Sequence, residues 1–227
     1  MIEFKKVTKK FGQTVALQDL SFTIKKGEFV FLVGPSGAGK TTVLKLLLRQ
    51  LLPTSGKIVV DGQEITRLPR KKIFLLRRNI GAVFQDYKIL KDQTVKENIV
   101  LPLLFQNFSP EEIESRFQKI IKLVGLKGKE ALFPAQLAGG ELQRVVIARA
   151  AIASPPIIFA DEPTGNLDPE TAWQITRLLK KLNRQGTTVV MATHNVDIVD
   201  SLRERVIRLE KGRLIKDTPK GSYRSEK

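Results

Sequence analysis

Short, wholly apolar runs alternate along this chain with stretches whose apolar positions recur every three or four residues. Phe29-Val30-Phe31-Leu32-Val33 contains no polar residue, the pattern of a strand buried on both faces of a parallel sheet. Ile157-Ile158-Phe159-Ala160, Thr187 to Thr193 and Ile80 to Phe84 read as further strands. Helical patterns lie between them. Leu44, Leu47, Leu48 and Leu51 recur at helical spacing, and Pro53 marks a stop. Ser109-Pro110-Glu111-Glu112 joins a capping serine, a proline at the first helical position and a glutamate at the third. Ile113, Phe117, Ile120, Ile121 and Val124 make that helix's apolar stripe, and Gly125 its C-terminal cap. Leu137 to Glu141 opens a helix to about Ala153, ended by Ser154-Pro155-Pro156. Asp168 caps another, with Ile175, Leu178, Leu179 and Leu182 facing inward and Gly186 at its end.

The flanking segments are β-rich. Residues 1–30 read as strands and turns, with turns at Lys10-Phe11-Gly12 and Lys26-Gly27. Gly56 to Gly62 is a strand that ends in an Asp61-Gly62 turn, and the last strands lie at Arg205 to Leu209 and Arg213 to Lys216. Residues 86–108 follow neither period, and 217–227 read as a frayed polar tail. Strand and helix alternate, so the prediction is an α/β fold over 1–227 as a single domain, with a helical subdomain at about 86–150.

Glycines between the Phe29–Val33 strand and the next helix bring in chemistry. Gly34-Pro35-Ser36-Gly37-Ala38-Gly39-Lys40-Thr41 fits G-x-x-x-x-G-K-[ST]. Its glycines let successive backbone N–H groups turn toward one anion, and the helix start adds its positive end. Lys40 supplies a full charge to phosphate, and the Thr41 hydroxyl is placed to ligate Mg²⁺. At the end of Ile157–Ala160 stand Asp161 and Glu162. The first could hold Mg²⁺, and the second could take a proton from an attacking water. His194, the single histidine, follows Thr193 at another strand end.

Net charge is +16 and the pI about 10.1, which suits nucleic acid or an anionic membrane surface. The densest cluster is Arg67, Arg70, Lys71, Lys72, Arg77 and Arg78; its one aromatic, Phe74, makes no base-stacking platform. Without cysteine there are neither disulfides nor thiolate metal sites. No apolar run reaches the roughly 18–20 residues of a membrane span, and Met1-Ile2-Glu3-Phe4-Lys5 lacks a signal peptide's apolar core, so a cytoplasmic location is expected.

Taken together and in this order, these motifs resemble the nucleotide-binding domain of ABC-type ATPases, over nearly the whole chain. The resemblance implies a P-loop core with a mostly parallel sheet, an antiparallel β subdomain and a helical insertion. Gly34 to Thr41, with Thr42, looks like Walker A, and Ile157 to Glu162 like Walker B. Phe11 takes the place of the adenine-stacking aromatic, and Gln85 that of the Q-loop glutamine beside Mg²⁺. Leu137, Ala138, Gly139, Gly140 and Glu141 take the place of the signature that closes over ATP held by the opposite subunit. Asp168 matches the D-loop aspartate and His194 the switch histidine. Two departures stand out: Ala138 where the family has serine, and Leu142-Gln143 where it has two glutamines.

Asp161-Glu162-Pro163-Thr164-Gly165-Asn166-Leu167-Asp168 is similar to the group of cell-division (FtsE), lipoprotein-releasing and macrolide-export ATPases. Phe84-Gln85-Asp86-Tyr87-Lys88-Ile89-Leu90 looks most like the FtsE branch. That implies an ATPase dimer on an integral FtsX-like membrane partner at the cytoplasmic face of the membrane, with ATP and Mg²⁺ as ligands and the basic surface against anionic lipid. An exporter ATPase, a soluble nucleic-acid protein and an ATP-gated scaffold are the rival expectations.

Overall fold

The computed structural model describes residues 1–223; the last four residues of the expected tail lie outside it. β1 (Ile2–Phe11) and β2 (Thr14–Ile24) pair antiparallel across a Gly12-Gln13 turn. Lys10 and Phe11, expected in that turn, are therefore the last residues of β1. β3 (Phe29–Val33) is buried throughout and feeds α1 (Lys40–Leu47). The helix ends before Pro53 is reached. Arg49 turns to φ 52°, and its guanidinium donates to the carbonyls of Ile65 (2.6 Å) and Leu68 (3.0 Å), so Leu51 packs from beyond the helix. β4 (Ser55–Val60) and β5 (Gln63–Glu64) meet at Asp61-Gly62, both at positive φ as a tight hairpin of this kind needs.

A 3₁₀ turn at Arg70–Lys72 leads into α2 (Ile73–Arg78) and then β6 (Ile80–Val83). The stretch of unclear period after β6 contains α3 (Val95–Leu104), started by a Thr94/Glu97 capping box. Two features hide its period. Pro102 lies inside the helix, and the face that should be apolar carries the buried Asn98. Asn98 accepts from Leu90 N–H (2.9 Å) and donates to the carbonyls of Leu90, Gln93 and Thr94, which ties the preceding loop to the helix. α4 (Pro110–Val124) has the expected Ser109/Glu112 box and the left-handed Gly125 cap, and α5 (Gly139–Ala151) follows.

The remaining elements are β7 (Ile157–Asp161), α6 (Pro169–Arg184), β8 (Thr188–Thr193), α7 (Val196–Leu202), β9 (Arg205–Glu210) and β10 (Arg213–Thr218). β10 takes in Asp217 and Thr218, which the sequence assigned to the tail. Arg205 holds them there through a two-pronged contact to Asp217, at 2.8 and 2.7 Å.

Among the described residues the strands form two sheets. The antiparallel one runs β2-β1-β4-β5, and the other β10-β9-β3-β8-β7-β6, parallel apart from the β9–β10 hairpin. One apolar core fills the space between the two sheets around α1. The other lies between the mostly parallel sheet and α3 to α6. With both faces covered, β3, β7 and β8 carry almost no polar side chain before their carboxyl ends.

Candidate active site

Strand order decides what meets at those carboxyl ends. β3, β8 and β7 are neighbours in register, so the loop after β3, His194 after β8, and Asp161 and Glu162 at the end of β7 face one another. β6 lies beyond β7 and delivers Gln85 from the far side. Together they line a cavity of about 550 Å³ whose walls include Pro35 to Thr42, Gln85, Asp161, Glu162 and His194.

The glycine loop cannot be built from other residues. A Cβ on Gly34 would lie 2.2 Å from the Leu209 carbonyl oxygen, and Gly39, at φ 106°, would meet Leu17 at 2.6 Å. Gly39 stands at the start of α1, whose first residue is Lys40. The Lys40 ammonium is buried and held inside the loop, donating to the carbonyls of Gly34 (2.8 Å) and Pro35 (3.2 Å) and lying 3.4 Å from Glu162 Oε1.

Glu162 itself has left-handed backbone, φ 49°, which turns its carboxylate away from the strand and into the cavity. Its second oxygen lies 2.9 Å from His194 Nδ1. An ionised carboxylate only accepts, so Nδ1 carries the proton in this arrangement. Asp161 is buried, and its Oδ1 has no hydrogen-bond partner among the described residues. Burial raises its pKa above the usual carboxylate value, and the Glu162 charge adds to this; the Thr41 hydroxyl and Lys40 oppose it. An orphaned buried carboxylate oxygen beside a threonine hydroxyl, at the foot of an anion loop, fits a hard divalent cation that takes its other ligands from phosphate and water.

Other candidates lie elsewhere. Phe11 is half-exposed at the end of β1 with the Lys9 ammonium 4.9 Å above its ring, outside the cavity wall. Leu137 is buried, and Ala138 is the N-cap of α5, with its N–H bonded to Glu141 Oε2 at 3.1 Å. Lys129 pairs with the same Glu141 carboxylate. A Cβ on Gly140 would stand 2.5 Å from Thr171 Cγ2, so glycine there permits the close approach of α5 and α6. Asp168 caps α6 by accepting from Thr171 N–H at 3.0 Å. None of the five residues Leu137 to Glu141, nor Asp168, lines the cavity. Sequence reasoning missed Ala16, which reaches the cavity from β2, and Tyr223, which reaches it from beyond β10. No local pattern marks either one.

The ABC transporter family model matches residues 17–165, more than half of the chain and from β2 to the loop beyond Glu162. The chain belongs to the ABC transporter family. This cassette is 46% identical to the cell division ATP-binding protein FtsE of Streptococcus pneumoniae, over 98% of the chain and 97% of that protein. It is also 46% identical to FtsE of Bacillus subtilis, with 99% of each chain covered, and 44% identical to FtsE of Escherichia coli, with 94% and 97% covered. Among solved structures, the dimeric ABC transporter cassette MJ0796 superposes with a TM-score of 0.89 at 39% identity, over 98% of this chain and all of that one. A dimeric post-hydrolysis state of MJ0796 bound to ADP and Pi superposes with 0.88 at 38% identity, with the same coverage. The mostly parallel sheet, antiparallel sheet and helices of this cassette are thus the ABC ATPase fold. No helix among the described residues is long and apolar enough to cross a membrane.

Proposed function

We propose that this cassette is the ATP-hydrolysing subunit of a membrane complex of the FtsE type, acting as a dimer with an FtsX-like membrane protein in cell division. The observation that carries the catalytic half is the Glu162 carboxylate, aimed into the cavity and held by Lys40 on one oxygen and His194 on the other. The relatives' names carry the cell-division half.

The chemistry follows from the same contacts. The loop amides and Lys40 bind the phosphates, Lys40 exchanging the Gly34 and Pro35 carbonyls for phosphate oxygens. That exchange releases one Glu162 oxygen to take the proton of the attacking water. His194 Nδ1–H points at Glu162, so to serve the γ-phosphate the ring must leave the carboxylate or gain a second proton. Thr41, Asp161 and Gln85 would hold Mg²⁺, which when bound neutralises phosphate charge. Ala138, Gly139 and Gly140, remote from their own cavity, would close over the γ-phosphate of the opposite subunit.

An exposed apolar groove fits the membrane partner. Phe74 on α2 and Phe105 at the end of α3 line a cavity of about 440 Å³, and their chain neighbours Leu75 and Leu104, like them, are about half exposed or more. A peripheral subunit needs such a patch for its membrane-embedded partner. The basic cluster divides. Arg77 donates to the Leu48 carbonyl, Arg78 to that of Phe105, and Arg67 pairs with Glu64. Arg70, Lys71 and Lys72, exposed on the 3₁₀ turn, are left as the surface for anionic lipid.

Glu162→Gln tests the catalytic reading. The amide keeps the shape and cannot accept the proton, so the purified variant should retain ATP binding and lose turnover by about 10²–10⁴-fold. Wild-type turnover in that variant would remove Glu162 from the mechanism.

A further inference from the structure

Directly beyond Gln85 and Asp86 the backbone does something costly. Tyr87 and Lys88, neither of them glycine, both take left-handed angles, φ 60° and 48°. Such residues are sparsely populated and persist only where their surroundings over-determine them. The Asp86–Lys88 ion pair is exposed on both sides and holds little. Their N–H groups bond within the turn, to the carbonyls of Phe84 (3.1 Å) and Asp86 (2.6 Å), and a guanidinium from another element holds the pair from outside. Arg149, on α5, donates from Nη1 to the Lys88 carbonyl at 2.8 Å and from Nη2 to the Tyr87 carbonyl at 2.9 Å. Two adjacent carbonyls on one planar fork is a geometry lysine cannot reproduce.

Tyr87 also meets the other end of the same helix. Its ring packs against the core, and its hydroxyl stands 3.9 Å from where a Cβ on Gly139 would lie. Gly139 and Arg149 are roughly 15 Å apart along α5 by helical rise. One loop residue thus spans the helix, with its carbonyl at Arg149 and its phenol beside Gly139, the first residue of α5 and the third of the signature.

We propose that Arg149 is a positioning residue that locks the strained loop after Gln85 onto α5, so that Gln85 and the Ala138–Glu141 signature are set together. This rests on the reading of Gln85 as a nucleotide-site residue. It follows that each ATP site is linked, within its own chain, to the signature offered to the opposite site. The P-loop is not part of the lock. Losing Arg149 therefore slows turnover and leaves the KM for ATP close to its original value.

The test uses the full chain with Mg-ATP, as wild type, Arg149→Met, Arg149→Lys, Gln85→Ala and the Gln85→Ala/Arg149→Met double variant, together with hydrogen exchange. Arg149→Met should lower kcat by about ten- to a hundredfold, the cost of a misplaced site group, with KM within about twofold. Arg149→Lys, which keeps one of the two contacts, should fall between. The double variant should be no slower than Gln85→Ala, because both changes remove one function. Faster amide exchange in Arg149→Met should be confined to the loop at 86–90, with α1, β7 and the rest of α5 unchanged. A normal kcat in Arg149→Met beside a slow Gln85→Ala overturns the lock alone. So does a double variant slowed by the product of the two single effects, or faster exchange spread through α5. Wild-type turnover in Gln85→Ala overturns the reading of Gln85 and the lock with it.

Discussion

Replacing Ala138 by serine should tighten the ATP-bound dimer, and the structure separates that effect from a simpler one. Ala138 has φ −68° and ψ 158°, almost the backbone of Ser109, the N-cap of α4, at −68° and 157°. Ser109 Oγ accepts from Glu112 N–H at 3.3 Å, while the Glu112 carboxylate accepts from Ser109 N–H at 2.9 Å. At Ala138 only the second half of that exchange exists, through Glu141 at 3.1 Å. A serine would complete the box without backbone movement, for about 1 kcal/mol of stability. In a chain of this size that raises Tm by about 2–4 °C. Capping uses a lone pair on Oγ and leaves its proton free for the γ-phosphate across the dimer. A hydrogen bond to a charged group contributes roughly 1.5–3 kcal/mol. Two sites per dimer give roughly 3–6 kcal/mol, or about 10²–10⁴-fold in the dimer Kd. The capping gain is common to monomer and dimer and cancels from that constant. Sedimentation velocity with Mg-ATP, on Glu162→Gln with and without Ala138→Ser, reads the Kd, and thermal melting reads the cap. A raised Tm with an unchanged Kd would refute the phosphate contact and leave Oγ as a helix cap alone.

Three other outcomes are expected. Lys40→Ala should weaken ATP binding by about ten- to a hundredfold, the range of one charged hydrogen bond or more; calorimetric titration with Mg²⁺ showing an unchanged Kd would rule out Lys40 as a phosphate ligand. Asn98→Ala strips four backbone groups of their side-chain partner. It should cost on the order of 3 kcal/mol in urea unfolding, with the slope m unchanged; a loss under about 0.5 kcal/mol would mean water replaces the amide. Charge reversal at Arg70 and Lys71 should reduce flotation with acidic vesicles, at about 1 kcal/mol per charge near the surface, and equal recovery with neutral vesicles would reject the lipid contact.

Where local pattern failed, the cause was a residue whose partner is distant in sequence. α3 was illegible because Asn98, polar and fully buried, satisfies a loop rather than water. The end of β10 looked like tail because Asp217 is held by Arg205 on the neighbouring strand. Arg77 and Arg78 looked like surface charge, yet both guanidiniums close off carbonyls of other segments.

The sequence by itself determined whatever depends on a few consecutive residues. Glycine spacing set the loop after β3, because only glycine fits at φ 106° against Leu17 or beside the Leu209 carbonyl. Apolar runs set the buried strands, and capping residues set where helices start. The tertiary structure alone decided which strand ends adjoin. β8 lies between β3 and β7 although it follows both in the chain, and that order brings His194 to Glu162 across 32 positions. It also brings Lys40 within 3.4 Å of the same carboxylate. Neither contact has a local signature, since strand pairing is governed by the burial of whole sheet faces and by crossover handedness, which no short window of residues records.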